Sequence, residues 1–155
     1  MSFIGNLYET AKKNNILGGI IFIDLIAFIS YIIFPFGIFY FGDLHMIIGC
    51  IVGIYFTLKH MKPNQSVLIL SILTGFIGSI LTAVSYTLFD WILFLGILKD
   101  SPFMLLVISE LFLIEAIIIG LIMGLIIGIY YNRRSKNLTE STSIEEEFYD
   151  GLKDK

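Results

Sequence analysis

Residues 66–89 read SVLILSILTGFIGSILTAVSYTLF, a run with no charged side chain. As a helix it would cover about 36 Å, enough to cross the roughly 30 Å hydrocarbon core of a bilayer. Ser71, Gly75, Gly78, Thr82 and Ser85 recur inside it at alternating spacings of four and three. That spacing puts a stripe of small or weakly polar residues along one helix face, where a neighbouring backbone can come close.

Outward from this run, three more apolar stretches cover about 16–34, 44–58 and 103–131. Of the 155 residues 57% are hydrophobic and only 15% charged, whereas an ordinary soluble domain carries about a quarter charged residues. The fold class expected is an all-α integral membrane protein with four transmembrane helices. The first apolar run follows Lys12 and Lys13, as in a signal peptide, but it exceeds a signal core in length and no small-x-small cleavage site follows. It reads as a retained span.

The segments between and around the runs complete the layout. Residues 1–15 alternate Phe3, Ile4, Leu7, Tyr8 and Ala11 with Asn6, Glu9, Lys12 and Lys13 at helical spacing, which predicts an N-terminal interfacial amphipathic helix. Pro35 sets the end of the first span, and the aromatic group Phe34, Phe36, Phe39, Tyr40 and Phe41 suits a membrane interface. Asp90 and Trp91 are read as closing the third span. Residues 92–98, too short to cross, are read as an interfacial or re-entrant segment. Ser101 and Pro102 open the fourth span with N-cap and first-turn chemistry. Residues 132–155 are expected to form a flexible acidic tail, although Ser143 and Glu146 have capping-box spacing before Ile144, Phe148 and Leu152.

With four spans, Lys12, Lys13, Lys59, Lys62, Arg133, Arg134 and Lys136 share one side and Lys99 lies on the other. The positive-inside rule then puts both termini in the cytoplasm and the protein in the cell (plasma) membrane. The net charge of -3 is dominated by the acidic stretch from Asn137 onward, and there is no basic patch for nucleic acid. The single cysteine, Cys50, forms no intramolecular disulfide.

Three acids interrupt the apolar runs: Asp24 in the first span, Glu110 and Glu115 in the fourth. A carboxyl in hydrocarbon is expensive, so each is a candidate proton or cation site or a hydrogen-bonded structural acid. Glu110 lies about two turns from the outer end and can reach water there. Asp24 and Glu115 fall at similar depth on oppositely directed spans, so they are a candidate pair sharing a proton. Tyr31, seven residues after Asp24, is on the same face as a possible hydrogen-bond partner.

Packing signals are more abundant than chemical ones. Ala116, Gly120, Gly124 and Gly128 recur every fourth residue, and Gly49, Gly53 and Thr57 do the same in the second span. These seams suit packing within the bundle or a contact with another subunit, the fourth span's seam being the better candidate for the second role. On an ideal helix Glu110 lies about 80° and Glu115 about 140° from Gly120, so the acids cannot both share the glycine stripe. Asp43 and His45 are too few to make a metal site, and no phosphate loop, HExxH or GxSxG is present. No hydroxyl in the third span has a His or Lys base in its own segment. No metal, cofactor or enzymatic activity is expected.

The reading that results is a non-enzymatic accessory, scaffold or assembly subunit of a membrane complex. Its partners would be the lipid bilayer and another copy or another membrane protein held through the glycine faces. The alternative is a small oligomeric transporter or ion- or proton-conducting protein that uses the intramembrane carboxylates.

Overall fold

A computed structural model describes the backbone of residues 13–33, 38–94 and 102–153, and most side chains among them up to Arg134. The described residues form four helices and no strand: α1 Asn15–Ile33, α2 Ile38–Lys59, α3 Val67–Phe94 and α4 Pro102–Lys153. Three helical stretches, Asn15–Ile33, Val67–Ile92 and Ser109–Arg134, are long and apolar enough to cross a membrane, and Leu44–Lys59 is a shorter apolar stretch. Residues 1–12 of the expected interfacial helix, Phe34 and Phe36 of the aromatic cluster, residues 95–98 and Ser101 lie outside the described residues.

Local chemistry explains where several helices begin and end. The Asn14 side chain accepts a hydrogen bond from the Leu17 backbone N–H at 3.3 Å, which caps α1. Between α2 and α3 the chain turns at 60–66, where Lys62 N–H donates to Gln65 Oε1 at 2.8 Å and Gln65 N–H to Lys62 O at 3.0 Å. Pro102 opens α4, where its missing N–H costs nothing.

The helices run up, down, up, down. In α1 and α2 Asn15 meets Thr57 and Ser30 meets His45; in α3 and α4 Gly75 meets Gly120 and Trp91 meets Ser109. Both pairs are therefore antiparallel. Helices α1 and α3 are parallel, since Ile23 packs on Gly78 and Tyr31 bonds Asp90. Each helix packs on two lateral neighbours in the order α1, α2, α4, α3, and α2 also touches α3 across the middle. Helices α1 and α4 occupy the other diagonal and do not pack on each other among the described residues. One end of the bundle holds the 60–66 turn, here the loop end. The other holds Tyr31, His45 and Asp90, here the far end.

Glycine lets these helices touch backbone to backbone. An added Cβ at Gly120 would lie 2.5 Å from the Gly75 carbonyl oxygen, and one at Gly124 would lie 2.7 Å from Ile72 Cα. At Gly49 it would lie 2.6 Å from the Ile23 carbonyl oxygen. The stripe on α3 divides between two neighbours: Ser71 and Gly75 serve α4, while Gly78 receives Ile23 of α1. The α4 stripe lies on α3 along Gly120, Gly124 and Gly128, with Ala116 fully buried. The Ser71, Ser79 and Thr82 hydroxyls bond back to the carbonyls of Leu68, Phe76 and Gly78, each at 3.0 Å. Satisfied within their own helix, they pack as small residues.

Two helices run past their expected ends. Helix α3 continues beyond Asp90 through Phe94, so residues 92–94 belong to it and not to a separate segment. The cause is tertiary: Asp90 is buried, and Trp91 Nε1–H donates to Ser109 Oγ of α4 at 3.1 Å. Packing between helices therefore persists at a level where the sequence suggested an interface. Helix α4 runs unbroken to Lys153 across the stretch expected to be a flexible tail. No proline follows Pro102, and Glu140, Glu145, Glu146 and Glu147 are good helix formers.

Candidate functional site

The interior of the loop end is a closed polar latch. Asn15 Nδ2–H donates to Thr57 O at 3.3 Å and to Gln65 Oε1 at 3.1 Å. The Thr57 hydroxyl lies 3.1 Å from both Asn15 O and Gly53 O. Asn15, Thr57 and Gln65 satisfy one another there and none of these side chains ionises, while the neighbouring Thr74 Oγ1 is buried with no hydrogen-bond partner among the described residues.

The interior of the far end is built from ionisable groups. Tyr31 is 1% exposed and its hydroxyl donates to the Asp90 carboxyl, with O···O distances of 2.8 and 3.0 Å. Asp90 itself is 7% exposed. The Tyr31 ring stacks on that of Tyr86, with centroids 4.2 Å apart and planes 15° apart. Tyr86 is 2% exposed and its hydroxyl has no hydrogen-bond partner among the described residues. That hydroxyl lies within electrostatic range of Asp24 and Cys50.

His45 closes the cluster from α2. It is 4% exposed, with its ring edge-on to Tyr31 at 6.2 Å. Its Nδ1 lies 2.6 Å from Ser30 Oγ, while Nε2 is buried with no hydrogen-bond partner among the described residues. Helix α4 adds an apolar wall, where Phe112 meets the Tyr86 ring edge-on at 6.5 Å.

The acids singled out in the sequence fall in different places. Asp24 is partly buried on α1, and its Oδ1 is buried with no hydrogen-bond partner among the described residues. Glu110 and Glu115 are on the exposed side of α4. Because α1 and α4 occupy opposite corners, the structure does not bring Asp24 and Glu115 together as packed neighbours. Tyr31 serves Asp90, on another helix, in place of Asp24 on its own. His45 is an interior residue, not an interfacial one; the Asp43 side chain is outside the described set. No group of three or more His, Cys, Asp or Glu able to hold a metal ion occurs among the described residues.

Asp90 is the residue that sequence reasoning missed. Its signal is periodicity: Ser79, Ala83, Tyr86 and Asp90 follow one another at spacings of four, three and four on the buried side of α3. Read that way, Asp90 continues the interior face and does not end the helix.

The fold and cluster together define a class, a four-helix bundle with helices able to cross a membrane and a tyrosine–carboxylate cluster inside it. Comparison with protein-family models, curated proteins and solved structures finds no match to this chain.

Proposed function

We propose that the chain is a four-span protein of the plasma membrane, with both ends of the chain in the cytoplasm, and that it acts as a non-enzymatic accessory, scaffold or assembly subunit of a membrane complex. The observation that carries this is the continuity of α4, one helix from Pro102 to Lys153. At 1.5 Å per residue it is about 78 Å long, more than twice the hydrocarbon thickness. The part beyond Arg134 carries Glu140, Glu145, Glu146, Glu147 and Asp150, so a rigid acidic arm would stand away from the bilayer on the side of the basic residues. Within the bundle, a partner would meet outward apolar side chains and not the glycine faces. The bundle's glycine seams are occupied by contacts between its own helices, and Ile69, Leu88, Ile92, Phe103 and Leu111 are among the large apolar side chains it turns outward.

The test is site-specific photocrosslinking in intact cells at Ile144 and Phe148 of the arm, with Leu25 and Ile29 of α1 as controls. A discrete protein adduct from the arm positions alone is the expected result. Equal labelling from both sets, or none from the arm, would remove the accessory-subunit reading.

A second reading, a small transporter or proton-conducting protein, is favoured by one observation: Asp24 Oδ1, His45 Nε2 and the Tyr86 hydroxyl are buried with no hydrogen-bond partner among the described residues, and His45 and Tyr86 both pack on the Tyr31 ring. In this reading the acids that matter are Asp24 and Asp90, since Glu110 and Glu115 face outward.

A further inference from the structure

We propose that Tyr31, Asp90, Tyr86 and His45 form a buried proton-exchange site at the far end of the bundle. The site is independent of the acidic arm and stands or falls separately from the accessory role.

Its centre is the stacked tyrosine pair. The two rings are in face-to-face contact at 4.2 Å, yet only one of the two hydroxyls is hydrogen-bonded among the described residues. Tyr31 is hydrogen-bonded to Asp90 near the far end. The Tyr86 hydroxyl is buried beside that pair. A phenolic hydroxyl both donates and accepts, so each tyrosine can give a proton to a carboxyl or take one from it. Tyr86 has neither role filled among the described residues. His45 supplies a further proton acceptor or donor at Nε2, with the ring fixed by Ser30 on one side and Tyr31 on the other.

The surroundings leave little besides a proton to balance the Asp90 carboxyl. Facing the cluster are Asp24 and Tyr31 from α1, His45 and Cys50 from α2, and Tyr86 and Asp90 from α3. From α4 the contact is Phe112, and Glu110 and Glu115 of that helix are on its exposed side. The described lysines and arginines, Lys13, Lys59, Lys62, Arg133 and Arg134, belong to the loop end, the other end of the bundle. With no cation packed against it among the described residues, the buried Asp90 carboxyl changes charge by gaining or losing a proton.

The test is pH-difference infrared spectroscopy of the full chain in lipid nanodiscs, the proton being the only probe. A carboxylic-acid C=O band that appears and disappears between about pH 5 and about pH 9 is expected. Asp90→Asn should remove it. Tyr31→Phe and Tyr86→Phe, which keep the stacked rings and hence the packing, should each shift the midpoint and the frequency of the band. If no buried carboxyl titrates, the proposal is overturned. A band indifferent to both phenylalanine variants would also overturn it, since the acid would then be an isolated structural group. The phenylalanine variants decide the matter even where an asparagine variant fails to fold.

Discussion

The two ends of this bundle solve the same problem with different chemistry. Each must bury polar groups between α1, α2 and a third partner. At the loop end Asn15, Thr57 and Gln65 interlock through amide, hydroxyl and backbone groups. At the far end Tyr31, His45, Tyr86 and Asp90 are joined by one tyrosine–carboxyl contact and one serine–histidine contact, and buried atoms of His45 and Tyr86 go unpartnered among the described residues. A neutral, saturated network rigidifies a fold at little risk; an ionisable, unsaturated one costs stability and persists where it has a use. The difference separates a latch from a site.

Substitutions sharpen this contrast, and the largest effect belongs to the seam on which both ends depend. Gly120→Leu or Gly124→Leu drives a side chain into the α3 backbone and should cost about 3 kcal/mol or more, read as loss of the monodisperse species in detergent. Since both glycines pack inside the chain, neither variant reports on assembly with a partner. Tyr31→Phe removes the donor to a buried carboxyl and should lower stability by about 1–3 kcal/mol in a denaturant titration. Asn15→Ala opens the latch and should cost about 1 kcal/mol, with the Gln65 amide free to turn to solvent. Smallest of all, Tyr86→Phe should change stability by less than about 0.5 kcal/mol, because that hydroxyl has no hydrogen bond to lose. A large loss from Tyr86→Phe would mean the far end is a latch as well, and the contrast would collapse.

How far the sequence reached follows from what kind of information each feature needs. Helical runs are local, and the apolar stretches around Ile23, Ile54, Gly78 and Gly120 were legible from hydropathy and spacing alone. The ends of α3 and α4 were not. Whether Asp90 stops a helix or sits inside it depends on Tyr31, 59 residues away. Asp24 was legible as an acid out of place. Its pairing with Glu115 was inferred from depth, which fixes height in a bundle but not which corner each helix occupies. The diagonal placement of α1 and α4 is tertiary information, set by the close fit of Gly75 on Gly120 and of Gly53 on Gly19. Gly19 completes that second contact and went unnoticed, because a glycine beside Gly18 near a helix start has no spacing partner within its own run.

The most direct measurement counts protons bound per chain across about pH 5 to about pH 9 in nanodiscs, comparing two variants with the parent. One carries Asp90→Asn at the far end, the other Asn15→Ala with Gln65→Ala at the loop end. The account predicts that the first loses a proton-binding step the parent possesses and that the second retains it. Equal proton uptake by the parent and the far-end variant would contradict it.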